Sequence, residues 1–112
     1  MTLTTTDPQV TDLLTLPGMT IAMLAKLTGF SDRSVLSWKD GRPLTERAQR
    51  SVAEVEDIVT QLRRHVEEQA IVPWFKRRVA GLNNQRPIDV VAAGRLGDIH
   101  RLLATLDTGP GN

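Results

Sequence analysis

Apolar residues return at helical spacing through residues 46–68: Ala48, Val52, Val55, Ile58, Val59, Leu62 and Val66. This period places all seven on one stripe of an α-helix about five turns long. Arg47, Arg50, Glu54, Asp57, Arg63 and Arg64 fall mostly on the other faces. Such a helix is stable only when other elements cover its stripe. No run of alternating β-branched residues offers a sheet for that purpose, and helix signals occur throughout. An all-α fold is therefore expected. Leu, Val, Ile and Ala dominate the apolar set, and the aromatics reduce to Phe30, Trp38, Trp74 and Phe75.

Punctuation defines the remaining helices. Residues 8–14 form a short first helix stopped by Pro17-Gly18. Thr20 caps a helix over residues 21–28, and Gly29 ends it in the left-handed conformation. Ser31 or Asp32 caps the next, roughly 32–40, closed by Gly41 and Pro43. Thr45 caps the long helix at about 46–68. Pro73 interrupts, and residues 74–79 make another helical turn or two. Residues 87–93 form a short helix with Pro87 at its first position and Gly94 just past its end. Residues 96–107 form a final helix with Leu96, Ile99, Leu102, Leu103 and Leu106 inward, before a loose tail. At 112 residues the chain is one domain, or two small ones sharing a core. It divides into a helix-turn-helix module at 1–45, a linking helix at 46–70 and a C-terminal helical domain with tail at 71–112.

Several function classes are excluded or disfavoured. With no cysteine there is no disulfide, thiol chemistry or Cys-type zinc site. The start MTLTTTDPQV lacks the basic and apolar regions of a signal peptide, and no apolar run approaches a membrane span, so a cytoplasmic protein is expected. His65 and His100 are isolated in sequence and read as solvated or capping residues. No Gly-rich phosphate loop and no catalytic constellation is present, so neither enzyme activity nor a cofactor or metal is expected.

Residues 21–40, IAMLAKLTGFSDRSVLSWKD, carry the most specific local pattern. A helix-turn-helix needs a small residue where its helices cross, met by Ala25, and a positive φ four residues on, met by Gly29. Leu24, Phe30, Val35 and Trp38 sit at the offsets that pack inside. Ser31, Asp32, Arg33, Leu36, Ser37 and Asp40 remain outward, on the side that faces the major groove in this motif. Candidate DNA contacts are Arg33 for base edge or phosphate, Ser31, Ser34 and Ser37 as small donors, and Lys39 and Arg42 for phosphates. Against this, Asp32 and Asp40 repel phosphate. Residues 1–50 also hold six basic against five acidic groups, so DNA binding needs a dimer or a partner.

Residues 73–109, PWFKRRVAGLNNQRPIDVVAAGRLGDIHRLLATLDTG, resemble the C-terminal toxin-binding domain of Xre/MbcA/ParS-type antitoxins. The family's landmarks have counterparts here in Trp74, Leu82, the turn Asn83-Asn84, Pro87, the helix that follows it, Gly94 and the final amphipathic helix. The spacing from Trp to Pro agrees without a gap, and the upstream helix-turn-helix and long helix extend the resemblance to roughly residues 20–109. Two positions depart from the family: Arg78-Val79 stands for its Pro-Asn pair, and Asn83-Asn84 for its Gly-Gly turn. Asn is the non-glycine residue that best tolerates left-handed geometry.

The resemblance implies an antitoxin whose partner is a RES-type toxin, an enzyme that consumes NAD or transfers ADP-ribose from it. It further implies that the C-terminal domain shields the toxin's NAD site, often with the last helix and tail, and that the helix-turn-helix represses the operon by binding operator DNA. Candidate toxin contacts are Trp74, Arg86, Arg95, Arg101 and the tail residues Thr108, Gly109, Pro110, Gly111 and Asn112. Trp74 is readable either as core or as interface. The run Lys76-Arg77-Arg78 is either a solvated face or a contact to DNA phosphate or an acidic toxin surface. A homodimer, or a hetero-oligomer with the toxin, is expected. From the residues alone, the alternative is a stand-alone helix-turn-helix regulator of phage or mobile-element origin that dimerises through its C-terminal module.

Overall fold

A computed structural model describes residues 6–108, with Thr108 described by its backbone alone. Seven α-helices and one 3-10 turn make up these residues: α1 Pro8–Leu14, α2 Ile21–Thr28, α3 Asp32–Lys39, α4 Glu46–Leu62, α5 Glu68–Lys76, the 3-10 turn Ala80–Leu82, α6 Pro87–Ala92 and α7 Leu96–Thr108. The only strand-like pairing among them is a single antiparallel bridge between Val79 and Gln85. The fold is all-α, as the periodicity requires.

The helix starts follow from their caps. The hydroxyls of Thr20, Ser31 and Thr45 accept hydrogen bonds from the backbone N–H groups of Met23, Ser34 and Ala48 at 3.0, 3.1 and 3.2 Å. Gly29 and Gly94 both take φ of +79° where α2 and α6 end. One buried cluster runs from Val10 in α1 to Leu103 in α7. Within it α2 packs on α3, α4 and α6, while α4 also packs on α1 and α7. Lys26 of α2 pairs with Asp89 of α6 at 2.9 Å, across the seam between the two halves of the chain.

Three boundaries differ from the periodicity. Helix α4 ends at Leu62 rather than near residue 68. The N–H groups of Arg64 and His65 donate to the carbonyls three residues back, tightening the chain into a turn. Arg63 then reaches Asp12 of α1 and Glu68 of α5. Helix α5 runs through Pro73 instead of stopping there. The carbonyl that loses its donor belongs to Gln69, and both residues are exposed. Beyond α5, residues 77–79 are extended rather than helical, since Arg77 has ψ of 154° and Val79 pairs with Gln85.

Side-chain placement also differs in two places. On α7, Ile99 and Leu103 are buried and Leu96 and Leu102 pack against the core, but Leu106 is exposed rather than inward. The histidines are not isolated: His65 Nε2 lies 2.7 Å from the Asp107 carboxylate, and His100 Nδ1 lies 3.3 Å from the Gln61 amide.

An acid–base cluster joins α1, α4 and α5. Arg63 donates to both oxygens of Asp12 at 3.0 and 3.1 Å and to Glu68, while Glu56 approaches its guanidinium only to 3.8 Å. Glu56 Oε2 is the one buried side-chain oxygen or nitrogen among the described residues without a hydrogen-bond partner. Burial, and then the Asp12 carboxylate beside it, push the Glu56 carboxyl up to about 7. The Arg63 guanidinium holds Asp12 below the usual carboxylate range.

Candidate functional site

Two faces of the molecule collect the residues singled out by the sequence. The first is the outer side of α3. Its placement depends on the corner with α2, where Ala25 is buried at the helix crossing and its carbonyl accepts from both Gly29 and Phe30. Leu24, Thr28, Val35 and Trp38 are all buried. Phe30 meets Trp38 edge-on at 5.2 Å, and the Arg47 guanidinium lies 5.3 Å above the Phe30 ring. Trp38 is thus core, and α3 is packed with its other side to solvent. This corner has the form expected of a helix-turn-helix.

That outer side is a shallow, open hollow of about 570 Å³ lined by Arg33, Ser34, Leu36, Ser37, Asp40 and Arg42. Four candidate DNA contacts, Arg33, Ser34, Ser37 and Arg42, are therefore brought together. The other two stand outside it: Ser31 serves as the α3 cap, and Lys39 is exposed at the helix end, where its carbonyl accepts from Thr6. The hydroxyls are partly committed, since Ser37 Oγ donates to the Ser34 carbonyl at 2.6 Å and Ser31 Oγ donates to Ser34 Oγ at 3.1 Å. The cations are not. Among the described residues, Arg33, Lys39, Arg42 and Arg50 have no carboxylate within ion-pair distance.

The second face is built by the turn before α6 and by α7. Asn83 and Asn84 take φ of +55° and +61°, the left-handed geometry that a Gly-Gly turn would supply. The Asn84 N–H donates to the Val79 carbonyl, and Arg78 donates to the Asn84 carbonyl at 3.0 Å. Pro87 opens α6, and after Gly94 the Arg95 N–H returns to the Val90 carbonyl. A cleft of about 350 Å³ lies between this turn and α7, with Asn83, Arg95, Asp98, Arg101 and Leu102 on its walls. Asp98 sits between Arg95, at 2.9 Å, and Arg101, whose side chain is 75% exposed.

Arg86 does not join that cleft. It forks onto Asp89 at 2.8 and 3.2 Å, and Asp89 also receives Lys26. The Arg86 fork, then Lys26, hold the Asp89 carboxyl down to about 2. Trp74 is only 5% exposed and meets Phe75 edge-on at 5.2 Å, so it supports the surface from below rather than standing on it. Thr108 closes α7 through its backbone; its side chain, and Gly109, Pro110, Gly111 and Asn112, lie outside the described residues. Lys76 and Arg77 are exposed without an ion pair among the described residues, beside an apolar groove lined by Pro17, Val72 and Pro73. The contrast in pairing was missed from sequence. Arg86, Arg95 and Arg101 each meet an aspartate three positions away, a spacing that is legible once helices are assigned.

No family model matches the chain. It is 30% identical over 91 residues to the probable mycobacterial cidal antitoxin Rv3188 of Mycobacterium tuberculosis, an alignment covering 81% of this chain and 78% of that protein. Its fold superimposes with a TM-score of 0.75 on a chain of the M. tuberculosis MbcT-MbcA toxin-antitoxin complex, at 20% identity, covering 90% of this chain and 92% of the other. The structural likeness establishes the shared fold, and the sequence likeness over most of both chains establishes the relationship: this chain belongs to the MbcA-type antitoxins.

Proposed function

We propose that this antitoxin neutralises a RES-type toxin by docking its C-terminal region, residues 71–112, over the toxin's NAD site. In this reading residues 1–45 form the DNA-binding module and residues 46–70 link the two. The protein acts in the cytoplasm by binding alone, without a cofactor of its own. Arg95 and Arg101, with the tail from Thr108 onward, hold the toxin, and Arg86 and the buried Trp74 keep the docking surface in shape. The observation that carries the reading is the sequence likeness to a cidal antitoxin across four-fifths of the chain. No helix among the described residues is long and apolar enough to cross a membrane.

The test is co-expression with the product of the adjacent reading frame. That product alone should arrest growth and deplete NAD, and this chain should restore growth and co-purify with it as a hetero-oligomer. A neighbour that harms no cell and does not bind sinks the proposal. Repression of its own operon is the second activity we propose, supported by the cations around α3, which have no carboxylate partner among the described residues. The same cations favour the alternative of a stand-alone dimeric regulator, which predicts specific operator binding without any toxin partner.

A further inference from the structure

Helix α3 presents Arg33, Leu36, Ser37 and Asp40 as one outward stripe, at steps of three, four and seven residues. Leu36 stands in its middle, 46% exposed, and Leu106 is the only other large apolar side chain so exposed among the described residues. Two hydroxyls near Leu36 are committed locally, Ser37 donating to the Ser34 carbonyl and the capping Ser31 to Ser34 Oγ. Leu36 is thus the apolar side chain of the stripe, while Arg33, Arg42 and Asp40 border the same hollow, and neither arginine has a carboxylate within ion-pair distance among the described residues. An exposed apolar side chain beside two arginines matches the major groove, where the thymine C5-methyl is the apolar group on the base edges and phosphates flank it.

We propose that Leu36 is a specificity-determining residue that reads the 5-methyl group of a thymine in duplex DNA. This rests on the reading of α3 as a DNA-binding helix. Arg33 and Arg42 set the register on the phosphates, and Leu36 discriminates by contact with one methyl group.

The full-length protein is used to select duplexes from a random-sequence library at fixed salt. Each thymine of the enriched duplex is then replaced by uracil, which keeps the pairing edge and removes only the methyl. At one thymine the replacement should weaken binding roughly fourfold, the worth of one buried methyl. Leu36→Ala should bind the parent duplex about as weakly and no longer distinguish it from the uracil duplex, with an unchanged melting temperature because the side chain is exposed. Uracil tolerated at every position overturns the assignment, as does discrimination that survives in Leu36→Ala. A change of oligomeric state in Leu36→Ala with discrimination intact also overturns it and assigns the residue to a protein contact. If no sequence is enriched at all, the DNA-binding reading falls and takes this assignment with it.

Discussion

Replacing Glu56 by Gln should stabilise the protein, and by more as the pH rises. Glu56 is enclosed with one oxygen unpartnered and the Asp12 carboxylate alongside, so its proton is retained in the fold up to about pH 7. Because the folded pKa lies above the ordinary value of 4.5, the stability it contributes is complete below 4.5 and is lost as the pH rises through about 7. A difference of roughly 2.5 units at 1.36 kcal/mol each is about 3 kcal/mol in all, most of it lost between about pH 5 and 8. Asp12 runs the other way: its depressed pKa adds stability that is present above the unfolded value and lost at lower pH. Glutamine keeps a donor toward Asp12 and cannot ionise. Glu56→Gln should therefore be more stable than the parent by about 1 kcal/mol at pH 5 and about 3 kcal/mol at pH 8. Urea unfolding curves of both proteins across this range measure the gap. A parent stability that does not fall between pH 5 and 8, or a constant gap, refutes the reasoning.

Other perturbations test other parts of the structure. Gly29→Ala places a side chain at φ +79° in open space, so it should cost about 1–2 kcal/mol from backbone geometry alone, read as a fall in melting temperature. Asn83→Gly and Asn84→Gly should leave the melting temperature within a few degrees, whereas Asn84→Val at φ +61° should lower it clearly. Trp74→Ala should cost about 3–5 kcal/mol and reduce toxin capture through unfolding, while Arg101→Ala should reduce capture with the melting temperature unchanged. Removing Arg33 or Arg42 should make the log–log salt dependence of DNA binding shallower by about 1 for each phosphate no longer neutralised, in a titration from low to moderate salt.

What the sequence discloses about this fold is local. The caps at Thr20, Ser31 and Thr45, the left-handed Gly29 and Gly94, and the Asn83-Asn84 turn each depend on a few adjacent residues, and each is legible. The α4 boundary is not, because no Gly or Pro marks it. At that boundary Arg63 pairs with Asp12, far away in the chain, and with Glu68 of α5. Pro73 misleads for a related reason: an interior proline costs a helix about 3 kcal/mol rather than forbidding it, and α5 buries Ile71, Val72, Trp74 and Phe75 on either side of it. Of the α3 face, the outward residues follow from period alone; that its cations have no carboxylate partner among the described residues is a property of the assembled surface. The cleft holding Arg95 and Arg101 requires knowing that α7 returns beside the asparagine turn, which no spacing reveals.

Helix α2 lines both halves of the molecule, with α3 against it on one side and α6 on another, and the Lys26–Asp89 pair across the latter seam. A recombination joint between α4 and α5 would graft a foreign surface onto that wall and strand both Lys26 and the apolar residues beneath it. The two ends of this chain are therefore expected to be inherited together. Drift in the α6 sequence is constrained by its packing on α2 as well as by whatever partner it meets.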